Sequence, residues 1–266
     1  MRHRAFTLIE LLVVIAILAL LMAFLFPAFS RSRAQAKAMA CKNNVRELLL
    51  SLSSYEAEHQ SLPYGFDFKG GAQPPGGFIG NLAVERPGWW WFHFAGVIHY
   101  KSSKGSQVLR CPSSRLGDPA LDRDLLCGKY GVNRFLCKTA PDRAPYKEEL
   151  AGAPLSTSRL SHPGQTLLIV DSGYSLIAWL HATADPPVPL GSVPIEDTAY
   201  VPGLAINKSR DLRPGQSVDA KDGRHPNRTV NVGFADGHAD TRPAADLLVE
   251  KTKDGGYTNM VLWQGR

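Results

Sequence analysis

Several signatures of enzyme chemistry are missing from this chain. It holds no G-x-S-x-G nucleophile elbow, no H-E-x-x-H pair and no glycine-rich phosphate loop. Acyl transfer, zinc-dependent hydrolysis and nucleotide binding therefore have no motif to stand on. No C-x-x-C spacing or dense Cys/His cluster occurs, so the spacing announces no metal, and no carboxylate-rich loop suggests calcium. A long basic run is also lacking, and a formal charge of +6 over 266 residues is too mild to argue for nucleic acid. The expectation is a non-enzymatic protein without a cofactor.

Charge is absent altogether from Leu11 to Phe29. At 1.5 Å per residue this stretch makes a helix close to the roughly 30 Å hydrocarbon thickness of a bilayer. The short leader Met1-Arg2-His3-Arg4-Ala5 is basic, which places the amino terminus on the cytoplasmic side and the rest of the chain outside. Glu10 is the one acidic residue in the apolar block, where a carboxylate costs roughly 2.5–3.5 kcal/mol at the helix centre and less near the interface. Such a charge needs a partner. Were the chain cut between Ala5 and Phe6, the new amino group of Phe6 would lie one helical turn from Glu10, or could meet Glu10 of a neighbouring subunit. An uncleaved anchor and an ordinary secretory signal are the plainer readings; no A-x-A-like cleavage site follows Phe29.

The run A-F-T-L-I-E-L-L-V-V-I-A-I from Ala5 resembles the processing site of type IV pilins and type II secretion pseudopilins. The resemblance implies that a prepilin peptidase cuts between Ala5 and Phe6 and methylates the new amine, and that Glu10 guides docking into a filament. It also implies further partners: other pilin or pseudopilin subunits, an inner-membrane assembly platform and the lipid bilayer. Ala5 departs from the glycine usual before the cut.

Beyond Phe29 the helix continues as an amphipathic one. Ala34, Ala38, Cys41, Val45, Leu48, Leu52 and Tyr55 recur at steps of four and three, and Pro27 should loosen the rod above them. Pro63 sets an end near Ser61 and Leu62, and a Gly/Pro-rich loop follows to Gly88. The run W-W-W-F-H-F from Trp89 to Phe94 is either core or a sugar-stacking platform, with His93 and His99 read as packed or surface residues. Short strands are expected at Gln107–Arg110, Thr166–Asp171, Ser175–His181 and Tyr257–Trp263, and helices around Lys147–Ala151 and Ala244–Lys251. A long proline-rich excursion lies between Asp185 and Gly215. The four cysteines allow three pairings; the expected ones are Cys127 with Cys137 and Cys41 with Cys111, against free buried thiols.

Near the carboxyl terminus, Val230, Val232 and Phe234 alternate with Asn231, Gly233 and Ala235, predicting a half-buried strand. Asp236-Gly237 predicts a type I′ turn before a return strand from His238 to Thr241. With C-K-N-N-V-R at Cys41, R-C-P-S at Arg110 and Y-G-V-N-R at Tyr130, this segment resembles a pilin-like subfamily with a His, nine residues, Asp-Gly signature. Here ten residues separate His225 from Asp236, which suggests a bulge near Pro226. A metal site from His225, Asp236, His238 and Asp240 is a minor candidate beside a capped turn.

The expected fold is α+β and pilin-like: a long amino-terminal helix packed on an antiparallel β-sheet with long loops. It divides into a leader at 1–5, a membrane or filament-core helix at 6–29, its amphipathic continuation at 30–62 and an extracytoplasmic head at 63–266. The expected role is a filament subunit in the inner membrane, single-pass, or in the filament. The alternative is a membrane-anchored module that grips polysaccharide.

Overall fold

Helix α1 spans Leu8–His59, a length that its composition permits because the stretch contains no glycine and one proline, Pro27. These bounds come from a computed structural model, which describes residues 8–67, 89–97, 105–123, 126–140, 150–187 and 199–265. Outside them lie the leader, the Ala5–Phe6 bond, most of the Gly/Pro-rich loop, His99, the start of the helix expected at Lys147–Ala151 and the middle of the proline-rich excursion. The helix runs through Pro27, and the Ser30 hydroxyl donates to the Pro27 carbonyl at 2.9 Å. It stops where Gln60 turns left-handed (φ 63°), one turn before Pro63.

The two halves of α1 meet different surroundings. None of its most apolar window is buried. Further along, Cys41, Val45, Leu48, Leu49 and Leu52 are buried, with Ala34, Ala38 and Tyr55 half-buried beside them. Each buried aliphatic side chain contributes on the order of 1.5–3 kcal/mol by leaving water. Near the carboxyl-terminal end of the helix, Glu56 accepts from the Thr157 amide at 2.6 Å and the Ser156 hydroxyl at 2.8 Å, which ties the rod to a head loop.

The head is built on two sheets. A small antiparallel pair joins β1 (Phe66–Asp67) to β2 (Trp89–Trp90). The main sheet contains β3 (Tyr130–Asn133), β4 (Leu167–Asp171), β5 (Leu176–Ile177), β6 (Thr229–Phe234) and β7 (Ala239–Pro243), in the order β5-β3-β4-β6-β7. All neighbours are antiparallel except β3 and β5, so the sheet is mixed. Strand β5, from the segment expected at Ser175–His181, does not pair with β4 but runs parallel to β3 on its far side. Short helices decorate the frame: α2 (Trp91–Phe94), α3 (Gly105–Val108), α4 (Pro119–Arg123), α5 (Ser217–Asp222) and α6 (Met260–Gln264).

Apolar clusters cover both faces of the main sheet. One joins α1 to Val132, Ile169 and the aromatics Trp90, Trp91 and Phe92. The other joins Val170, Val230, Val232 and Phe234 to Trp179, Leu247 and Trp263. The middle of the aromatic run is therefore core: Trp90 is buried, Trp91 and Phe92 are fully buried, and the Trp91 indole N–H donates to the Ser175 carbonyl at 3.1 Å. Strand β6 is buried on both faces, since α1 lies over the Asn231 and Gly233 side. A Cβ on Gly233 would come within 2.7 Å of Ile169 Cγ2 and 2.8 Å of Leu49 Cδ1.

Four local expectations change. Gln107 and Val108 end helix α3, and Leu109 and Arg110 turn away after it rather than forming a strand. Tyr257–Trp263 ends in α6, entered through left-handed Asn259. Ala244–Leu247 is a 3₁₀ turn, too short for the helix expected there. Gly237 has φ +92° while Asp236 keeps a negative φ, which excludes type I′. The loop Ala235-Asp236-Gly237 closes between the Phe234 amide and the His238 carbonyl at 2.9 Å, the three-residue alternative. The irregularity near Pro226 is present, as consecutive left-handed residues Asn227 and Arg228.

Candidate functional site

The amino-terminal segment offers a surface rather than a cavity. Glu10 lies in the first turn of α1 as described, at an exposed position among exposed Leu8, Ile9, Leu11 and Leu12. Among the described residues α1 is the one helix long and apolar enough to cross a membrane. Ala5 and Phe6 lie outside the described residues.

A second constellation is buried where α1 meets the head. Cys41 comes from the apolar seam of α1, Cys111 from the turn after α3 and His225 from the segment leading into β6. Ligand atoms of these three side chains lie within 4.8 Å of one another, and all three residues are buried. The expected pair Cys41 and Cys111 is thus brought together, with both sulfurs as free thiols. Cys127 and Cys137 are buried thiols placed before and after β3, and no disulfide joins this second expected pair.

Each member is held from behind. His225 Nε2 lies 3.0 Å from Asp171 Oδ2, which also accepts from the Asn231 amide at 2.6 Å. With a proton on Nε2 the ring donates to Asp171; Asn231 Nδ2 also lies 3.0 Å from Nε2 and reaches the Ala38 carbonyl of α1 at 3.4 Å. Nδ1 is buried and has no hydrogen-bond partner, and the Cys111 thiol lies beside the ring. Burial alone would lower the His225 pKa, but the Asp171 carboxylate outweighs it and raises it to about 10. A hydrogen bond from Cys111 pulls Cys41 down, and burial pushes Cys111 up.

The chain neighbours of these residues are fixed as well. Asn44 Nδ2 donates to the Arg110 carbonyl at 3.0 Å, joining α1 to the residue before Cys111. Arg224, the residue before His225, is fully buried and paired with Asp219 at 2.8 Å. It also donates to the carbonyls of Lys129 at 2.6 Å and Ser172 at 2.7 Å.

The four residues weighed as a metal set do not converge. His225 precedes β6, whereas Asp236 and His238 sit beyond its far end, about 20 Å along a strand of six residues. Asp236 and His238 pair at 2.5 Å on the surface, 40% and 44% exposed. Asp240 meets Lys42 at 3.5 Å and Arg242 at 3.6 Å. His225 thus has different companions from those its sequence neighbours suggested.

Residues 1–26 match the family model described as the prokaryotic N-terminal methylation motif. No curated protein and no solved structure matches the chain significantly. The motif, carried on a long helix that packs against a five-stranded sheet, indicates a type IV pilin-like or pseudopilin-like protein. It implies processing by a peptidase and assembly with other pilin subunits.

Proposed function

We propose that this protein is a structural subunit of a type II secretion or type IV pilus-like filament, cut by prepilin peptidase between Ala5 and Phe6. Residues 6–29 anchor it in the inner membrane as a single span with the amino terminus in the cytoplasm, and later form the filament core. Residues 30–62 carry the head, 63–266, outside. The observation that carries this reading is the methylation motif at 1–26 on a helix that exposes its apolar half and buries the seam of its other half. A rod of this kind buries its greasy surface either in lipid or against copies of itself. The C-K-N-N-V-R, R-C-P-S and Asp-Gly blocks support placement in the subfamily with the His and Asp-Gly signature. An inner-membrane assembly platform is the partner that lifts subunits from the bilayer.

Mass spectrometry of the amino terminus from native membranes tests the proposal. The expected species begins at Phe6 and carries a methylated amine. Chains that all retain Met1 to Ala5, with no sheared filament containing the protein, would overturn it.

A further inference from the structure

We propose that Cys41, Cys111 and His225 bind one Zn²⁺ ion, and that this ion fastens helix α1 to the head. Two thiolates and an imidazole form a donor set that zinc takes in tetrahedral sites, with the fourth position left to water or another ligand. Hard cations such as calcium and magnesium need oxygen donors, and the three converging atoms include none.

Three observations carry the assignment. Ligand atoms from three remote chain segments converge within 4.8 Å in a buried place. The ring nitrogen left over from the Asp171 contact, His225 Nδ1, is itself buried without a nitrogen or oxygen partner. A carboxylate on the opposite ring nitrogen holds a proton there and leaves Nδ1 as the ligand once its own proton is displaced, the arrangement that supports zinc-bound histidines generally. Arg110 and Arg224 are anchored on either side, so the ligands stand in place without a cost of ordering them. A groove of about 600 Å³ passes Lys37, Pro112, Ser113 and Arg224, reaching the chain neighbours of Cys111 and His225, and gives an approach for the ion.

The competing fate of these thiols is a Cys41–Cys111 disulfide. That bond removes two protons and two electrons and needs an oxidant, and it leaves Nδ1 buried beside sulfurs it no longer binds. Zinc binding changes no oxidation state. The ion displaces the two thiol protons and the Nδ1 proton of the imidazolium into solvent, and accepts the lone pair that this frees on Nδ1. The proposal stands whether or not Phe6 is methylated.

Elemental analysis of the tag-free, full-length chain, purified in detergent from its own membrane without chelator, tests it. About one zinc per chain is expected. Cys111→Ser and His225→Gln should lower zinc content at least about tenfold, and Asp171→Asn should weaken zinc affinity roughly 10- to 100-fold. Cys127→Ser, a buried thiol outside the cluster, should keep it. Because a ligand variant could unfold, exchange of wild-type zinc for Co²⁺ supplies an independent reading: a thiolate-to-cobalt charge-transfer band is expected. Wild-type chain without zinc, whether its thiols are free or joined as Cys41–Cys111, would overturn the proposal, as would copper in place of zinc.

Discussion

Asp171 and His225 face each other at 3.0 Å, Oδ2 to Nε2, with neither side chain exposed to solvent. One belongs to the central strand β4 and the other to the segment that enters β6, so their contact closes the sheet beneath α1. Truncating one partner leaves the other buried and unpaired, a loss of about 3–5 kcal/mol for a buried pair. Asp171→Ala should therefore lower the melting temperature of the head by many degrees, followed by near-ultraviolet circular dichroism of the full chain in detergent. A melting curve equal to wild type would show that the contact contributes nothing.

Asp219 and Arg224 make a second buried pair, and here the pH dependence has a definite sign. Burial alone would raise the Asp219 carboxyl, but the Arg224 guanidinium outweighs it and holds it below the ordinary carboxylate value. An unfolded aspartate titrates near pKa 3.9, so this stabilisation is complete above about pH 4 and disappears as pH falls through the lower folded value. Asp219→Asn should destabilise the head by about 3–5 kcal/mol at neutral pH, since Arg224 stays buried and charged. The gap between wild type and variant should narrow on acidification. Denaturant titrations at pH 7 and at pH 3 and below measure it; a gap that stays constant would refute the assignment.

Gly233 marks the closest approach of helix to sheet. Its missing Cβ would lie 2.7 Å from Ile169 Cγ2 and 2.8 Å from Leu49 Cδ1, so Gly233→Ala must push the seam of α1 away. Overpacking of this kind costs about 1–3 kcal/mol. Chemical denaturation should show that loss, with Gly255→Ala as a comparison in which the new Cβ meets nothing within 4 Å but the backbone is strained at φ +86°. Gly233→Ala with wild-type stability would mean that α1 and β6 are held less closely.

The same glycine shows where sequence reading stops. The alternation of Val230, Val232 and Phe234 gave the strand and its apolar face, and the four-and-three spacing from Ala34 to Tyr55 gave the seam of α1. Both patterns are local and periodic. Burial of Asn231 and Gly233 depends on which element lies over them, and no period encodes that. His225, Cys111 and Cys41 were each visible as residue types, yet their meeting arises from three segments that approach only when α1 lies across β6. The aromatic run carried no period, and its burial was decided by packing against α1 and Tyr174. The two-residue β5 offered too little pattern to reveal its parallel pairing with β3.

Glu10 provides the test of assembly. It sits in the first turn of α1 as described, on a helix whose apolar window is exposed along its length. In lipid an acidic side chain at this depth is tolerated near the interface, yet it is better satisfied by an amine held against it in a packed bundle. If the methylated amine of Phe6 supplies that partner, removing the carboxylate leaves insertion and cleavage untouched, because neither depends on the pairing. Glu10→Ala should therefore accumulate as a membrane-inserted chain beginning at Phe6, with at least a tenfold loss of protein in sheared filaments. Glu10→Gln keeps the shape and removes the charge, so it should fail in the same way if attraction to the amine is what registers the subunits. Immunoblots of membrane and sheared fractions, with amino-terminal mass spectrometry of each, read all three properties at once. Wild-type filament yield from either variant would remove Glu10 from assembly.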